Sequence, residues 1–222
     1  MGMDGASLPH SDRLLSPFDL DDSPKMPKQT LTIIISSQDK GPAPSEGTEA
    51  DRLRRLEKLY ERTGLVRSVE AVMVMHRRDS LQLILLQDGD GVLRLPGGYI
   101  RSDEDEVEGL LKKLDEQLSQ PDDEGEYSED ADFWEVDECI ARWWRPNFEP
   151  FMYPFKPAHV TKPKEVKKLF AVQMPETKMI SIPQGWKLRA VPFYDLWTYE
   201  EKYGPIFSAI PAVLSGFELK LA

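Results

Sequence analysis

The sequence predicts one α/β domain with a mixed sheet held between helices, and three observations predict it. Apolar residues recur at helical spacing in some stretches and in β-branched runs in others, without the regular strand–helix alternation of an all-parallel sheet. With 222 residues the chain can bury one substantial core, while two full domains would be cramped. A hydrophobic fraction of 40% suits that core, and 18 prolines imply many turns and extended segments.

In chain order, residues 1–29 are polar and aperiodic and are expected to form a disordered arm, the domain spanning 30–222. Leu31 to Ile35 is β-branched and strand-like, and Lys40 to Gly47 reads as a loop. From Glu49 to Thr63, Leu53, Leu56, Leu59 and Tyr60 share a helical face, and Gly64 supplies the stop. Val69 to Met75 and Leu81 to Leu86 read as strands joined by the polar turn Arg77-Arg78-Asp79. A short strand, Val92 to Leu95, leads into Pro96-Gly97-Gly98. Glu104 to Leu118 is helical, with Val107, Leu110, Leu111, Leu114 and Leu118 as its apolar stripe, and an acidic loop from Gln120 to Ala131 follows. A strand from Phe133 into Trp143-Trp144 precedes a Pro- and aromatic-rich stretch, Arg145 to Pro163; such irregular segments usually form an interface or a pocket wall. Lys167 to Met174 and Lys187 to Val191 are further strands, and helical pieces around Asp195 to Lys202 and Ile206 to Leu214 close the domain.

The net charge is −11, and 17 of the 39 acidic residues fall between Asp103 and Glu138 against only Lys112 and Lys113. Non-specific affinity for nucleic acid comes chiefly from Lys and Arg at phosphates, so a general coating of nucleic acid is excluded and any RNA contact must be short and base-directed. Lys162, Lys164, Lys167 and Lys168 form the one clear basic cluster, either a solvated face or a phosphate contact. The single cysteine, Cys139, forms no internal disulfide and suits a reducing compartment. No apolar run approaches the ~20 residues that span a bilayer, so a soluble intracellular chain is expected.

The segment Leu95-Pro96-Gly97-Gly98 followed by an acidic helix resembles the Nudix box. Gly98 and Glu104 match its first spacing, and its later positions fall on Lys112-Lys113, Glu116-Gln117 and Ser119. In that family the helix glutamates hold Mg²⁺ against a pyrophosphate, because residues three and four apart converge on one helix face. Lys113 and Gln117 stand at glutamate positions here and only Glu116 remains, so the expectation is a Nudix-type α/β/α sandwich without catalysis, metal or cofactor. Glu106, Glu108 and Asp115 read as a solvated face, with Glu108, Lys112 and Glu116 as an i,i+4 charge ladder.

Longer runs carry a narrower resemblance. Glu138-Cys139-Ile140-Ala141-Arg142-Trp143-Trp144-Arg145-Pro146-Asn147-Phe148-Glu149-Pro150, then Pro157-Ala158-His159-Val160-Thr161-Lys162-Pro163-Lys164-Glu165, and finally Tyr203-Gly204-Pro205-Ile206 are similar to the small subunit of pre-mRNA 3′-end cleavage factor I, over roughly residues 30 to 222. The resemblance implies a nuclear homodimer that reads single-stranded RNA carrying a UGUA-like element. It also implies a larger cleavage factor I subunit as partner, with an RNA-recognition domain and a basic tail, and neither DNA nor a membrane. The partner would supply phosphate attraction while this chain reads bases.

Carried over residue by residue, the RNA contacts fall on Glu46, Arg52 (with Arg54 as rival), Glu70, Leu95, Tyr203 and Gly204. The stacking aromatic falls on Val92, with Leu93 beside it where a second aromatic is usual. Valine offers no π-face, so weaker or altered RNA preference is expected, and Val92→Phe should tighten UGUA binding. Two alternatives stand: an active Nudix hydrolase of nucleoside diphosphate derivatives or dinucleoside polyphosphates recruiting metal through Glu104, Glu116 and Glu108, and a scaffold that no longer reads RNA.

Overall fold

The computed structural model describes residues 32–36, 47–77, 79–119, 134–174 and 177–217. The expected arm at 1–29, Glu46 and the acidic loop from Gln120 to Ala131 lie outside the described residues. The elements are β1 (Thr32–Ser36), α1 (Glu49–Thr63), β2 (Val66–Val72), β3 (Val74–Arg77), β4 (Ser80–Gln87), β5 (Leu93–Arg94), β6 (Gly97–Ile100) and α2 (Glu106–Leu118). They continue with β7 (Glu135–Arg145), β8 (Glu165–Gln173), β9 (Thr177–Ser181), β10 (Lys187–Pro192), α3 (Phe193–Thr198), α4 (Glu200–Tyr203) and α5 (Pro205–Leu214).

The expected mixed sheet is present, with strand order β6-β2-β8-β7. Its central pair β2–β8 is parallel, while β2–β6 and β7–β8 are antiparallel. A second sheet runs β10-β4-β3 with β5 beside β4, and β1 pairs with β9 in parallel. Because side chains alternate across a strand, β2 sends Val69 and Ala71 to one face and Ser68, Glu70 and Val72 to the other. The first face meets α2, where Leu110, Leu114 and Leu118 pack with Val69, Ala71, Ile100 and Phe170. Val72, Leu169 and Trp143 pack instead with Leu83, Leu85, Val191, Leu196 and Ile210. Each valine, leucine, isoleucine or phenylalanine among them that is fully removed from water contributes about 1.5–3 kcal/mol before conformational entropy is charged against it.

Local chemistry sets the helix ends. Thr48 and Asp51 form a reciprocal capping box at α1, and Gly64, at φ 75°, ends the helix with its N–H donating to the Tyr60 carbonyl at 2.8 Å. Asp105 caps α2 by accepting from the N–H groups of Val107 and Glu108 at 2.9 and 3.2 Å. At Gly109 a Cβ would lie 2.7 Å from Ile100 Cγ2, so glycine lets α2 settle onto β6.

The elements differ from the expected ones in four places. The single strand from Val69 to Met75 is two strands in different sheets, with Met73 buried between them; residues buried on both sides carry no period to mark the break. Gly97 and Gly98, expected only to follow the short strand, open a strand of their own, because pairing with β2 overrides their weak strand propensity. The piece from Asp195 to Lys202 is two short helices, α3 and α4, separated at Tyr199. Strand β9 went unforeseen because its partner β1 is remote in sequence. No helix among the described residues is long and apolar enough to cross a membrane.

Candidate functional site

On the sheet face away from α2, paired residues form rows. Tyr99, Ser68, Lys167 and Trp143 occupy one row through the register of β6, β2, β8 and β7. Gly97, Glu70 and Leu169 occupy the next. Glu165 on β8 lies opposite Arg145 on β7 in a third. The strand β5, the start of α1, the loop after Arg145 and the α4–α5 junction wall this face into a cavity of about 460 Å³.

The floor of the cavity is a charged network. Glu165 is buried and accepts from Ser68 Oγ at 2.8 Å and from Arg145 Nε at 2.8 Å. Burial works to raise the Glu165 carboxyl, but the charges of Lys167 and Arg145, with hydrogen bonds from Arg145 and Ser68, outweigh it and hold the group below its ordinary range. Lys167, itself buried, donates to Glu70 Oε1, so the Glu70 carboxylate faces the cavity with one oxygen engaged and the other available to accept. Glu70 does not pair with its strand neighbour Arg67, which lies on the opposite face and pairs with Glu106 at 2.7 Å.

Of the residues carried over from the resemblance, Arg52, Glu70, Leu93, Leu95, Tyr203 and Gly204 all line this one cavity, although they come from four separate segments. Val92 does not: it is 42% exposed at the end of the β4–β5 loop, immediately before β5, and Asp88 clamps that loop by accepting from the Val92 N–H at 2.8 Å and from Arg94 at 2.9 Å. Burial works to raise the Asp88 carboxyl, and the Arg94 and backbone hydrogen bonds prevail and lower it. Ser68, Tyr99, Arg145 and Glu165 also line the cavity and had not been singled out. A signal was present, since Ser68 and Glu70, and Glu165 and Lys167, are polar residues two apart, a spacing that puts each pair on one face of its strand. The basic cluster is not one surface. Lys167 faces the cavity, whereas Lys168 pairs with Glu106 at 2.6 Å on the α2 face, and Lys164 sits 4.3 Å from the Tyr60 ring centre.

The helix of the Nudix box is occupied with structural work. Gln117 accepts from the Gly97 N–H at 2.9 Å and donates to the Gly97 carbonyl at 2.8 Å, clamping β6 with a side-chain amide. Gly97 has φ 132°, and a Cβ there would lie 2.2 Å from the Val69 carbonyl, so only glycine fits beneath this clamp. Lys113 Nζ donates to Glu116 at 2.8 Å, and Glu104 accepts from the Arg101 N–H at 3.0 Å. Glu106 is not part of a solvated face: burial opposes its ionisation, but Lys168 and Arg67 lower its carboxyl. Asp115 accepts from Trp134 Nε1 at 3.0 Å and from Ser119 Oγ at 2.8 Å. Among the described residues no three His, Cys, Asp or Glu side chains converge to hold a metal. One lysine-paired carboxylate and a committed amide do not fit the Mg²⁺ centre that the box implies, since Mg²⁺ requires hard anionic oxygen donors near an octahedron.

A family model described as NUDIX_2, nucleotide hydrolase, matches residues 30–217. The chain is 40% identical over 172 residues to the pre-mRNA cleavage factor Im 25 kDa subunit 2 of Arabidopsis thaliana, covering 78% of this chain and 84% of that one. It is 38% identical over 172 residues to cleavage and polyadenylation specificity factor subunit 5 of Dictyostelium discoideum, with the same coverage of both chains. Among solved structures, a Nudix hydrolase from M. smegmatis, RenU, aligns with TM-score 0.46 at 10% identity over 72% of this chain and 91% of its own. The C. elegans Ap4A hydrolase binary complex aligns with TM-score 0.43 at 15% identity over 69% of this chain and 100% of its own.

Proposed function

Because the chain belongs to the Nudix-domain family of the pre-mRNA cleavage factor Im 25 kDa subunits, we propose that it is a non-catalytic, RNA-reading subunit of the nuclear machinery that forms mRNA 3′ ends. In this role it binds a short UGUA-like element, forms a homodimer and recruits a larger subunit. The observation that carries the reading is the convergence of Arg52, Glu70, Leu93, Leu95, Tyr203 and Gly204 on one cavity. Its volume, about 460 Å³, falls in the roughly 300–1,000 Å³ range of small-ligand pockets. A carboxylate held by Lys167 accepts from the imino N–H of guanine or uracil, and the guanidinium groups of Arg52 and Arg55 donate to base carbonyls or phosphate oxygens. The net charge of −11 limits phosphate attraction, so sequence reading falls to this chain and bulk affinity to its basic partner.

The same geometry supports the absence of hydrolysis, since Gln117, Lys113 and Glu116 are committed to internal contacts. The test is a titration of labelled UGUA and scrambled RNA with the purified chain at fixed salt, read by anisotropy. Preferential binding of UGUA is expected, with phosphate release from a nucleotide panel in Mg²⁺ at background. Equal or absent RNA binding overturns the reading in favour of a scaffold, and turnover overturns it in favour of a hydrolase.

A further inference from the structure

We propose that Tyr99 is the stacking platform of the cavity, the aromatic face against which the base read by Glu70 lies; this rests on the RNA-reading function proposed above. Ile100 is buried beneath α2, so alternation along β6 turns Tyr99 to the cavity face. There it lines the cavity with 39% of its surface exposed, on a strand between two glycines and a buried isoleucine.

The register places the ring relative to the charged network. Tyr99 lies directly opposite Ser68, and Glu70 is the next residue along the same face of β2. The residue opposite Glu70 is Gly97, which has no side chain. Diagonal neighbours across an antiparallel pair lie roughly 7–8 Å apart, within reach of an aromatic side chain. A planar base laid over Gly97 would therefore offer its edge to Glu70 and its face to Tyr99. The loop position that the resemblance assigns to stacking holds Val92, outside the cavity, and its neighbour Leu93 lines the wall without a π-face. Tyr99 is thus the aromatic that the β-sheet itself supplies at the place where the loop supplies none. Every base presents a π-face, so the platform contributes affinity while Glu70 and Lys167 contribute selection.

The experiment combines affinity with a map of contact. Full-length chain is titrated with labelled UGUA RNA as wild type, Tyr99→Ala, Tyr99→Phe and Val92→Phe. Tyr99→Ala is expected to weaken binding about tenfold or more, and Tyr99→Phe to stay within about twofold, because stacking needs the ring and not the hydroxyl. Val92→Phe, which the resemblance alone expected to tighten binding, is now expected to change little, because Val92 does not line the cavity. RNA carrying 5-iodouridine at either uridine is then irradiated with wild-type chain, and the adduct is expected at Tyr99 by peptide mass spectrometry. Wild-type affinity in Tyr99→Ala, tightening by Val92→Phe with no loss at Tyr99, or an adduct confined to Tyr203 overturns the proposal while leaving RNA reading intact. Failure of the wild-type chain to bind any RNA removes the function itself, and this assignment with it.

Discussion

Replacing Gln117 by Glu restores the charge that the Nudix box carries, and the structure says what it costs. At neutral pH the carboxylate still accepts from the Gly97 N–H, which is 2.9 Å from Oε1. The other oxygen faces the Gly97 carbonyl, now 2.8 Å from a donor, and two acceptors meet where a hydrogen bond was. A lost hydrogen bond costs about 0.5–1.5 kcal/mol and a stranded buried acceptor about 1–3 kcal/mol. The site is half-buried, so a net loss of about 1–2 kcal/mol is expected. At about 2–4 °C per kcal/mol for a chain of this size, Tm should fall by roughly 2–8 °C. The sign with pH is distinctive. Below the ordinary glutamate range near pH ~4.3 the protonated carboxyl donates to the Gly97 carbonyl again, so the gap to wild type should narrow as pH falls. Differential scanning fluorimetry at about pH 7 and about pH 4 measures both values, each variant compared with wild type at the same pH. A Gln117→Glu chain as stable as wild type at neutral pH, or a gap that widens on acidification, refutes the idea that the amide is a structural clamp.

Two further expectations follow from the cavity floor. Lys167→Met leaves the Glu70 carboxylate without its partner in a partly desolvated site and should destabilise by about 2–4 kcal/mol, less than a fully buried pair would lose; the double variant Lys167→Met/Glu70→Leu should recover most of it, and additive losses in urea titrations would refute the coupling. For Glu165, the folded pKa lies below the unfolded one, so ionisation adds stability above the ordinary carboxylate range. That increment is lost as pH falls through the depressed folded value. Glu165→Gln should therefore be less stable near neutrality and show a flatter acid limb, and an acid limb parallel to wild type would remove Glu165 from the linkage.

Much of this molecule was determined by local sequence. The stop at Gly64 and the stripe Leu110, Leu114 and Leu118 act within a few residues of themselves, so α1 and α2 were legible before any fold was known, although their caps, Thr48 and Asp105, had not been picked out. The Gly97–Gly98 pair and the run around Trp143 were legible as resemblance, and they led to residues that prove to share a cavity. Tertiary structure alone decided the rest. Pairing of β2 with β6 and β8 brings Tyr99, Gly97, Glu70 and Lys167 to one sheet face, across sequence separations that no local period encodes. Opposite faces of the sheet divided Lys167 from Lys168, which in sequence read as one basic cluster. The clamp formed by Gln117 likewise exists only because α2 packs on β6; in the sequence it was a missing glutamate, and in the fold it is the amide that holds Gly97 opposite Glu70.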